Sequence, residues 1–155
     1  MIKLRPEIKN DQAFIEMLYR STREAELHAT NWTEEQKSAF VIMQSMAQLA
    51  EYRSRFPGAT FEVIEFRKKN AGRLYTWESA LEIRLIDITI MPRFRGKGIG
   101  TSVLNDLVKR SDRLKKKISL HVDPASPALQ LYLKLGFVLV KNNGRLFYME
   151  RNAVQ

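Results

Sequence analysis

The strongest constraint on the fold is a glycine-rich loop between a predicted strand and a predicted helix. The strand spans Leu81 to Met91 and ends at Pro92, and the helix runs from about Gly98 to Arg113. The loop between them has three glycines at alternate positions and reads Arg95-Gly96-Lys97-Gly98-Ile99-Gly100-Thr101. Glycines let the backbone approach a ligand closely, and the first amides of a helix attract anions. The pattern therefore predicts an anion-binding loop suited to phosphate groups.

Two familiar phosphate-binding patterns do not fit this loop. A P-loop places four residues between its first glycine and Gly-Lys-Ser/Thr, and the chain has no such run. The dinucleotide fingerprint G-x-G-x-x-G also fails, because its last glycine would fall at Thr101 or Val103. What remains is Arg95-x-x-Gly98-x-Gly100. The structural alternative is a strand-to-helix turn that merely needs glycine.

The rest of the chain predicts an α/β fold. The predicted elements are a strand at 1–5, helices at 11–28 and 33–56, strands at 60–66, 73–78 and 81–91, a helix at 98–113, a strand at 118–122, a helix at 126–136, and strands at 137–140 and 145–150. The strand–helix–strand unit around the glycine loop requires a crossover and a parallel strand pair. A turn is placed at 68–72, and Met43 and Met46 are expected in the core.

Composition excludes several kinds of site. With 155 residues, one domain covering 1–155 is expected. The chain has no cysteine, which excludes disulfides, a thiolate nucleophile and thiolate metal ligands, and it has only two histidines, so no metal site is predicted. No apolar run approaches the ~20 residues of a membrane span. We therefore expect no membrane partner and a cytoplasmic location.

The net charge of +9 favours anionic partners. Nucleic acid and coenzyme A, with its phosphates, are the two candidates. The densest basic run, Arg113-Leu114-Lys115-Lys116-Lys117, lies at a predicted helix C-terminus, where cations suit the helix dipole. No zinc-finger, basic-zipper or RNA-binding pattern is found, so nucleic acid is not the expected partner.

A second motif follows about thirty residues after the glycine loop. It reads Leu129-Gln130-Leu131-Tyr132-Leu133-Lys134-Leu135-Gly136-Phe137. Together with the loop and the strand before it, this helix resembles the paired signatures of the GCN5-related N-acetyltransferases, the GNAT superfamily. The resemblance covers about residues 59 to 150 and extends to 1–58 in outline. It implies a GNAT-like fold, with a mixed sheet of about seven strands, about four helices and a splayed parallel strand pair that holds acetyl-CoA.

The resemblance implies roles for particular residues. Tyr132 would protonate the departing thiolate, and main-chain groups of Ile88 and Ile90 would pair with the acetyl and pantetheine amides. Ala125 departs from the family, which often has an asparagine there that contacts the cofactor or a water. The pyrophosphate would bind the amides of Arg95, Gly96, Lys97, Gly98, Ile99, Gly100 and Thr101.

The general base is left open. Acetyl transfer needs a neutral amine, and a carboxylate or a water chain accepts its proton. Asp87 lies inside an apolar strand, where pairing with an arginine or a hydroxyl is the structural alternative. Glu82 lies nearer to where some family members have a glutamate, although Arg84 falls closer to that place. His121 is expected to be an ordinary strand residue.

The predicted function is therefore transfer of the acetyl group of acetyl-CoA to an amine by direct attack in a ternary complex. The acceptor would be a small-molecule or peptide amine, in a pocket shaped by residues 11–56 and nearby loops. Trp32, Tyr52 and Arg53 are candidates to line that pocket. The alternative is a non-catalytic acyl-CoA-binding or regulatory module on the same fold. A homodimer is left open.

Overall fold

In the computed structural model, residues 1–154 are described and form a seven-stranded sheet with four α-helices. The helices are α1 (Gln12–His28), α2 (Glu34–Arg55), α3 (Ile99–Leu114) and α4 (Ala128–Lys134). The strands are β1 (Ile2–Pro6), β2 (Thr60–Phe66), β3 (Lys69–Glu78), β4 (Glu82–Ile90), β5 (Lys117–Val122), β6 (Val138–Asn142) and β7 (Phe147–Arg151). The strand order is β1-β2-β3-β4-β5-β7-β6, with β4 and β5 parallel and the other pairs antiparallel. The predicted mixed sheet is confirmed.

Different helices cover the two faces of the sheet. Side chains of α3 and α4 pack with alternate sheet residues such as Leu74 and Leu120 in the main core. Tyr75, next to Leu74, faces the other side, where its ring meets the ring of Tyr52 in α2 at 6.1 Å. Because successive residues of a strand point to opposite faces, α2 lies on the face opposite to α3.

A bulge in β4 changes which side chains meet which helices. The pairing of β3 with β4 shifts register between Leu85 and Asp87, so Ile86 has no partner across the sheet. One extra residue reverses the alternation of side chains beyond it. Leu85 and Ile88 therefore both pack in the core beneath α3, whereas Asp87 turns towards the α2 face.

Helix α4 ends in a Schellman motif, as the glycine at its end predicts. Gly136 has a left-handed backbone, with φ 97°. The Phe137 N–H donates to the Tyr132 carbonyl at 3.0 Å, and the Gly136 N–H donates to the Leu133 carbonyl at 3.1 Å. This end fixes the position of Tyr132 relative to the strand that follows.

The expected turn at 68–72 is wrong. The reversal between β2 and β3 uses Arg67 and Lys68, which have φ of 51° and 67°, and β3 begins directly after them. Gly72 lies inside β3. Glycine is required there because a Cβ would be only 2.3 Å from the Thr89 carbonyl oxygen. This glycine therefore allows a close approach of two strands and does not form a turn.

The methionines of α2 also differ from expectation. Met43 and Met46 are 59% and 56% exposed, so they do not belong to the core. The apolar pattern of α2 is wider than the stripe that the sheet covers, and these two residues lie outside that stripe.

Candidate active site

The glycine loop joins β4 to α3 through left-handed backbone. Gly96 and Gly98 have φ of 75° and 78°, which side chains of L-residues disfavour. A Cβ at either position would meet no atom within 4 Å, so the space beside the loop is open. Hydrogen bonding in α3 begins when the Ser102 N–H donates to the Gly98 carbonyl at 3.0 Å. The amides of residues 99–101 consequently lack intrahelical acceptors and suit an anion.

Two basic side chains flank the loop. Arg95 and Lys97 are exposed, and the Arg95 Nε donates to the Ile90 carbonyl at 3.0 Å. Ile99 has its side chain in the main core, so only its main chain is available to a ligand. A Cβ on Gly100 would make ordinary contact, at 3.9 Å, with Ile90 Cγ1. The loop thus combines positive charge, helix amides and open space.

Strands β4 and β5 are paired only where they begin. The paired residues are Glu82 with Lys117, Ile83 with Ile118, and Arg84 with Ser119. Beyond Arg84 no pairing joins the strands, although β4 continues to Ile90 and β5 to Val122. Between them is a cavity of about 200 Å³. The parallel strands therefore splay, and the glycine loop follows β4 at the open end.

Ile88 and Ile90 direct main-chain groups into this gap. The Met91 N–H donates to the Ala71 carbonyl, on the β3 side, at 2.8 Å. Main-chain groups of consecutive strand residues point alternately to the two neighbouring strands. Ile88 and Ile90 therefore present their amides and carbonyls on the β5 side, where β5 has moved away.

Tyr132 of α4 lies at the wall of the gap cavity and is 6% exposed. Its ring packs against Phe137, with 5.5 Å between ring centroids. Burial, together with the negative charge of Asp87, raises the pKa of the Tyr132 hydroxyl to about 12. The hydroxyl is therefore protonated near neutral pH and has a proton to donate.

Asp87 lines the same cavity, but its carboxylate already has partners. Arg73, which is 2% exposed, donates to Asp87 Oδ2 from Nε at 3.1 Å and also from Nη2. Thr89 Oγ1 donates to Asp87 Oδ1 at 2.8 Å, and Arg73 Nη2 also donates to Gln48 Oε1 at 2.7 Å. Asp87 is thus the counterion of a buried guanidinium, which limits its freedom to accept a substrate proton.

Glu82 lies away from Tyr132 and Asp87. It stands at the end of β4 that is still paired with β5, and its carboxylate accepts a hydrogen bond from Ser119 Oγ. The residues that line the gap cavity do not include it. The structure therefore brings Asp87 and Tyr132 together at one cavity and leaves Glu82 outside.

Polar groups surround Ala125 although its own side chain has none. The Ala125 N–H donates to Asp123 Oδ1 at 2.8 Å. Asp123 and Ser126 line the gap cavity, and Ser126 Oγ accepts a hydrogen bond from the Ala128 N–H at 3.2 Å. The Ser126 hydroxyl proton is not used in that bond, so a polar donor is present one residue away from the missing asparagine.

A second cavity, of about 390 Å³, adjoins the gap on the α2 side. Its lining residues are Tyr52, Arg55, Phe56, Arg84, Ile86, His121, Asn143 and Leu146. Ile86 and His121 line both cavities, so a molecule in the second cavity can reach the gap. Of the residues expected to line an acceptor pocket, Tyr52 does so, whereas Trp32 and Arg53 line separate hollows.

Most residues that line the second cavity could not be identified from the sequence. Arg55 and Phe56 end α2, and Asn143 and Leu146 belong to the β6–β7 turn, so only the fold assembles them. One signal was present in the sequence, since Arg84 interrupts an apolar strand and a charge in such a place needs a partner.

Arg84 and His121 contact each other in this wall. Arg84 Nη2 donates to His121 Nδ1. Burial, followed by the positive charges of Arg84 and Arg55, lowers the pKa of His121, so the ring is neutral near pH 7. With Nδ1 accepting, the remaining ring proton lies on Nε2. His121 therefore offers a donor to the cavities and not a free basic nitrogen.

The described residues, 1–154, offer neither a metal-binding cluster nor a membrane-spanning helix. Among residues 1–154, no three acidic or histidine side chains gather in a way that would hold a metal ion. None of the helices described there combines the length and apolar character needed to cross a bilayer.

Solved structures with the same fold include several acetyltransferases. One is the PaiA N-acetyltransferase from Thermoplasma acidophilum in complex with coenzyme A, with 18% identity, a TM-score of 0.70, and coverage of 98% of this chain and 99% of that one. Another is Ard1 from Thermoplasma volcanium, with 18% identity, a TM-score of 0.64 and 99% of each chain covered. An acetyltransferase from Thermus thermophilus has 16% identity, a TM-score of 0.67, and coverage of 98% and 97%. Identities this low show a shared fold.

The family follows from the sequence itself. No curated protein matches the chain. Residues 12–137 match the family described as the acetyltransferase (GNAT) family, which is most of the chain and includes the glycine loop and Tyr132. The chain therefore belongs to the GNAT acetyltransferase family.

Proposed function

We propose that this protein transfers the acetyl group of acetyl-CoA to an amine by direct attack in a ternary complex. The observation that carries the proposal is the continuity of three features: the open glycine loop, the gap between β4 and β5, and the protonated Tyr132 at the wall of that gap. Family membership supports acyl-CoA-dependent acetyl transfer. We also propose that the acceptor is a small-molecule or peptide amine and that particular residues carry the protons, as described below.

The loop and the gap fit coenzyme A by their chemistry. Amides of Arg95, Gly96, Lys97, Gly98, Ile99, Gly100 and Thr101, with the two basic side chains among them, suit pyrophosphate oxygens. The main-chain groups of Ile88 and the amide of Ile90 have no strand partner on this side and suit the amides of a pantetheine arm, whereas the Ile90 carbonyl already accepts from Arg95. Acetyl-CoA supplies the acetyl thioester. The complex of the Thermoplasma relative with coenzyme A supports this choice of ligand.

In this proposal Tyr132 acts at the departing sulfur. A leaving thiol resembles cysteine, with a pKa near 8.5, while the raised pKa of Tyr132 keeps its hydroxyl protonated. The phenol therefore donates a hydrogen bond to the sulfur and shares its proton as negative charge develops there. The Schellman end of α4 holds the ring in place for this role.

Asp87 and Glu82 remain the two candidates for the base that accepts the amine proton, directly or through water. Asp87 lines the gap but neutralises Arg73, whereas Glu82 makes no salt bridge within residues 1–154 but lies at the paired end of β4. Asp87→Asn and Glu82→Gln separate them. The base is the residue whose amide variant removes an ionisation from the acidic limb of the pH profile of kcat, which reports the bound complex and not the free amine. If neither variant does so, the proton goes to water alone.

The proposed function is tested first by ligand binding. Gly98 and Gly58 are matched positions, because both have φ near 80° and open space around an added Cβ. Gly98→Ala and Gly58→Ala should lose similar stability, but only Gly98→Ala should weaken coenzyme A binding, by about tenfold or more, in calorimetry. Equal affinities in the two variants would refute the assignment of the loop.

Turnover is tested with acetyl-CoA and a panel of amines, with detection of the free thiol. Acetylation of at least one amine class, lost in Tyr132→Phe, supports catalysis. Coenzyme A binding without turnover of any amine would instead favour a non-catalytic acyl-CoA-binding module.

The remaining parts of the proposal concern the setting of the reaction. We propose a single GNAT domain over residues 1–155, acting in the cytoplasm.

In the basic run at the end of α3, Lys116 pairs with Glu78 at 2.7 Å and Lys117 pairs with Glu150 at 2.8 Å. Because two of the four basic side chains of the run have acidic partners, the run offers little uncompensated charge to nucleic acid, and random duplex DNA should bind only weakly and in a salt-sensitive way.

A further inference from the structure

Arg84 is a half-buried cation without a carboxylate partner. Its guanidinium carbon lies 5.7 Å from the ring centroid of Phe56 and 5.8 Å from that of Tyr148. Its Nη2 donates to His121, while its buried Nε has no partner within residues 1–154. No carboxylate there forms a salt bridge with it. A cation in this position is costly unless an anion joins it.

A fully buried arginine on the same face provides an internal comparison. Arg73 also lies against an aromatic ring, with its guanidinium 4.7 Å from the centroid of Tyr75. Its charge is neutralised by Asp87, which it contacts through two nitrogens. Arg73 thus has a carboxylate partner in the fold, whereas Arg84, which lines the second cavity, has none.

The second cavity has another positive charge and a further hydrogen-bond donor beside Arg84. Arg55 lines it, and its contact with Glu51 is long, at 3.8 Å, and exposed, so the Arg55 charge is only weakly compensated. Asn143 Oδ1 accepts from the amides of Arg145 and Leu146, which leaves the Asn143 NH₂ group as a donor. The cavity wall contains two arginines, donors and apolar surface, and no acidic side chain.

We propose that the second cavity binds an anionic group of the acceptor, so that the substrate is an amine that also carries a carboxylate or a similar oxyanion. This inference rests on the proposed function. Arg84 and Arg55 hold the anion, and the amine nitrogen then points past Ile86 and His121 towards the gap where the thioester is expected. Polyamines are disfavoured because they would bring positive charge to this wall. The volume of about 390 Å³ lies in the range of small-molecule sites, about 300–1,000 Å³.

The first test compares ligands on the unmodified protein saturated with coenzyme A. The ligands are amino acids, their α-amides and their decarboxylated amines, so that each side chain is tested with and without the anion. Aminoalkylphosphonates extend the series to phosphate-like groups. We expect the ligands that carry the carboxylate or phosphonate, here called anionic amines, to raise the melting temperature. They should also be acetylated from acetyl-CoA with kcat/KM about 10- to 100-fold above their partners without that group, the scale of a hydrogen bond to a charged group.

The second test removes the charge at two sites. Arg84→Met keeps much of the apolar packing between the two rings, and Arg113→Met removes an exposed arginine of α3 as a control for net charge. We expect Arg84→Met to raise KM for anionic amines about tenfold or more and leave KM for neutral amines nearly unchanged, while Arg113→Met changes neither. The melting temperature of Arg84→Met should not fall, because the half-buried cation that it removes has no counterion.

The outcomes are distinct. Equal binding and turnover of anionic and neutral amines by the unmodified protein would overturn the inference without any variant. Equal preferences in the two variants would show that the anion binds elsewhere, which overturns the role of Arg84. If no amine is acetylated but anionic ligands still stabilise the protein through Arg84, the proposed function fails while the anion site stands.

Discussion

The most informative perturbation is Tyr132→Phe, because it removes one hydroxyl and keeps the ring. The ring contact with Phe137 and the Schellman hydrogen bonds at the end of α4 do not involve that hydroxyl. No side chain of residues 1–154 forms a hydrogen bond with it, and it lies at the wall of the gap cavity. The free energy of unfolding should therefore change by no more than about 0.5 kcal/mol.

The expected loss of activity follows from the proton that Tyr132 holds. With a pKa of about 12, roughly one hydroxyl in 10⁴ is ionised at pH 8, so nearly every molecule has the donor form. Loss of an acid of this kind lowers kcat by about 10²- to 10⁴-fold. The smaller figure corresponds to about 2.7 kcal/mol of transition-state stabilisation. Coenzyme A affinity should stay nearly the same, because the loop that we expect to bind it is untouched.

The assay is steady-state turnover of the best amine, with single-turnover rates to establish that chemistry is measured. Tyr19→Phe is the matched control. Tyr19 is as buried as Tyr132 and accepts a hydrogen bond from Arg23, but it belongs to the α1–α2 cluster and lines neither cavity. If Tyr132→Phe retains near-full single-turnover rate, Tyr132 is a packing residue of the helix end and the thiolate leaves without its help.

Three further predictions concern stability. Gly72→Ala should destabilise by about 1–3 kcal/mol in urea unfolding, because the new Cβ would lie 2.3 Å from the Thr89 carbonyl oxygen, and an unchanged midpoint would refute this close approach. Asp87→Asn should cost about 3–5 kcal/mol by leaving Arg73 buried without a counterion, and a double variant with Arg73→Met should recover part of that loss. Hydrogen bonding from Arg5 holds the pKa of Asp11 below its usual value. The stability that Asp11 contributes is therefore complete above about pH 4 and is lost as the pH falls through the lowered pKa. Asp11→Asn should flatten that part of an acid-unfolding curve, and an unchanged curve would contradict this prediction.

The local features of the site were readable from sequence because their causes are local. A left-handed backbone favours glycine, so the glycines at Gly96 and Gly98 indicated the loop in the sequence. The Schellman end at Gly136 depends on residues within a few positions of each other. The glycine loop and the helix that ends at Gly136 carry the family signatures, and hence the expected fold.

Glycine 72 shows where the same reasoning failed. A glycine near lysines and an asparagine suggested a turn, but Arg67 and Lys68 take the left-handed positions. The requirement for Gly72 comes from the neighbouring strand, since the Thr89 carbonyl leaves no room for a Cβ. A contact of this kind joins residues 17 positions apart, and a local pattern does not contain it.

The sequence by itself determined the order of the elements, the glycine loop and the placement of Tyr132 on a capped helix, because each depends on neighbouring residues. The tertiary structure decided the surroundings of the charged side chains. The bulge at Ile86 reverses the alternation of side chains in β4, so Asp87 lies on the same face as Arg73 and pairs with it. The splay beyond Arg84 opens the gap, and the ends of α2 and the β6–β7 turn enclose that arginine without a carboxylate. Register and strand separation are set by packing between distant segments, so no stretch of the chain specifies them alone.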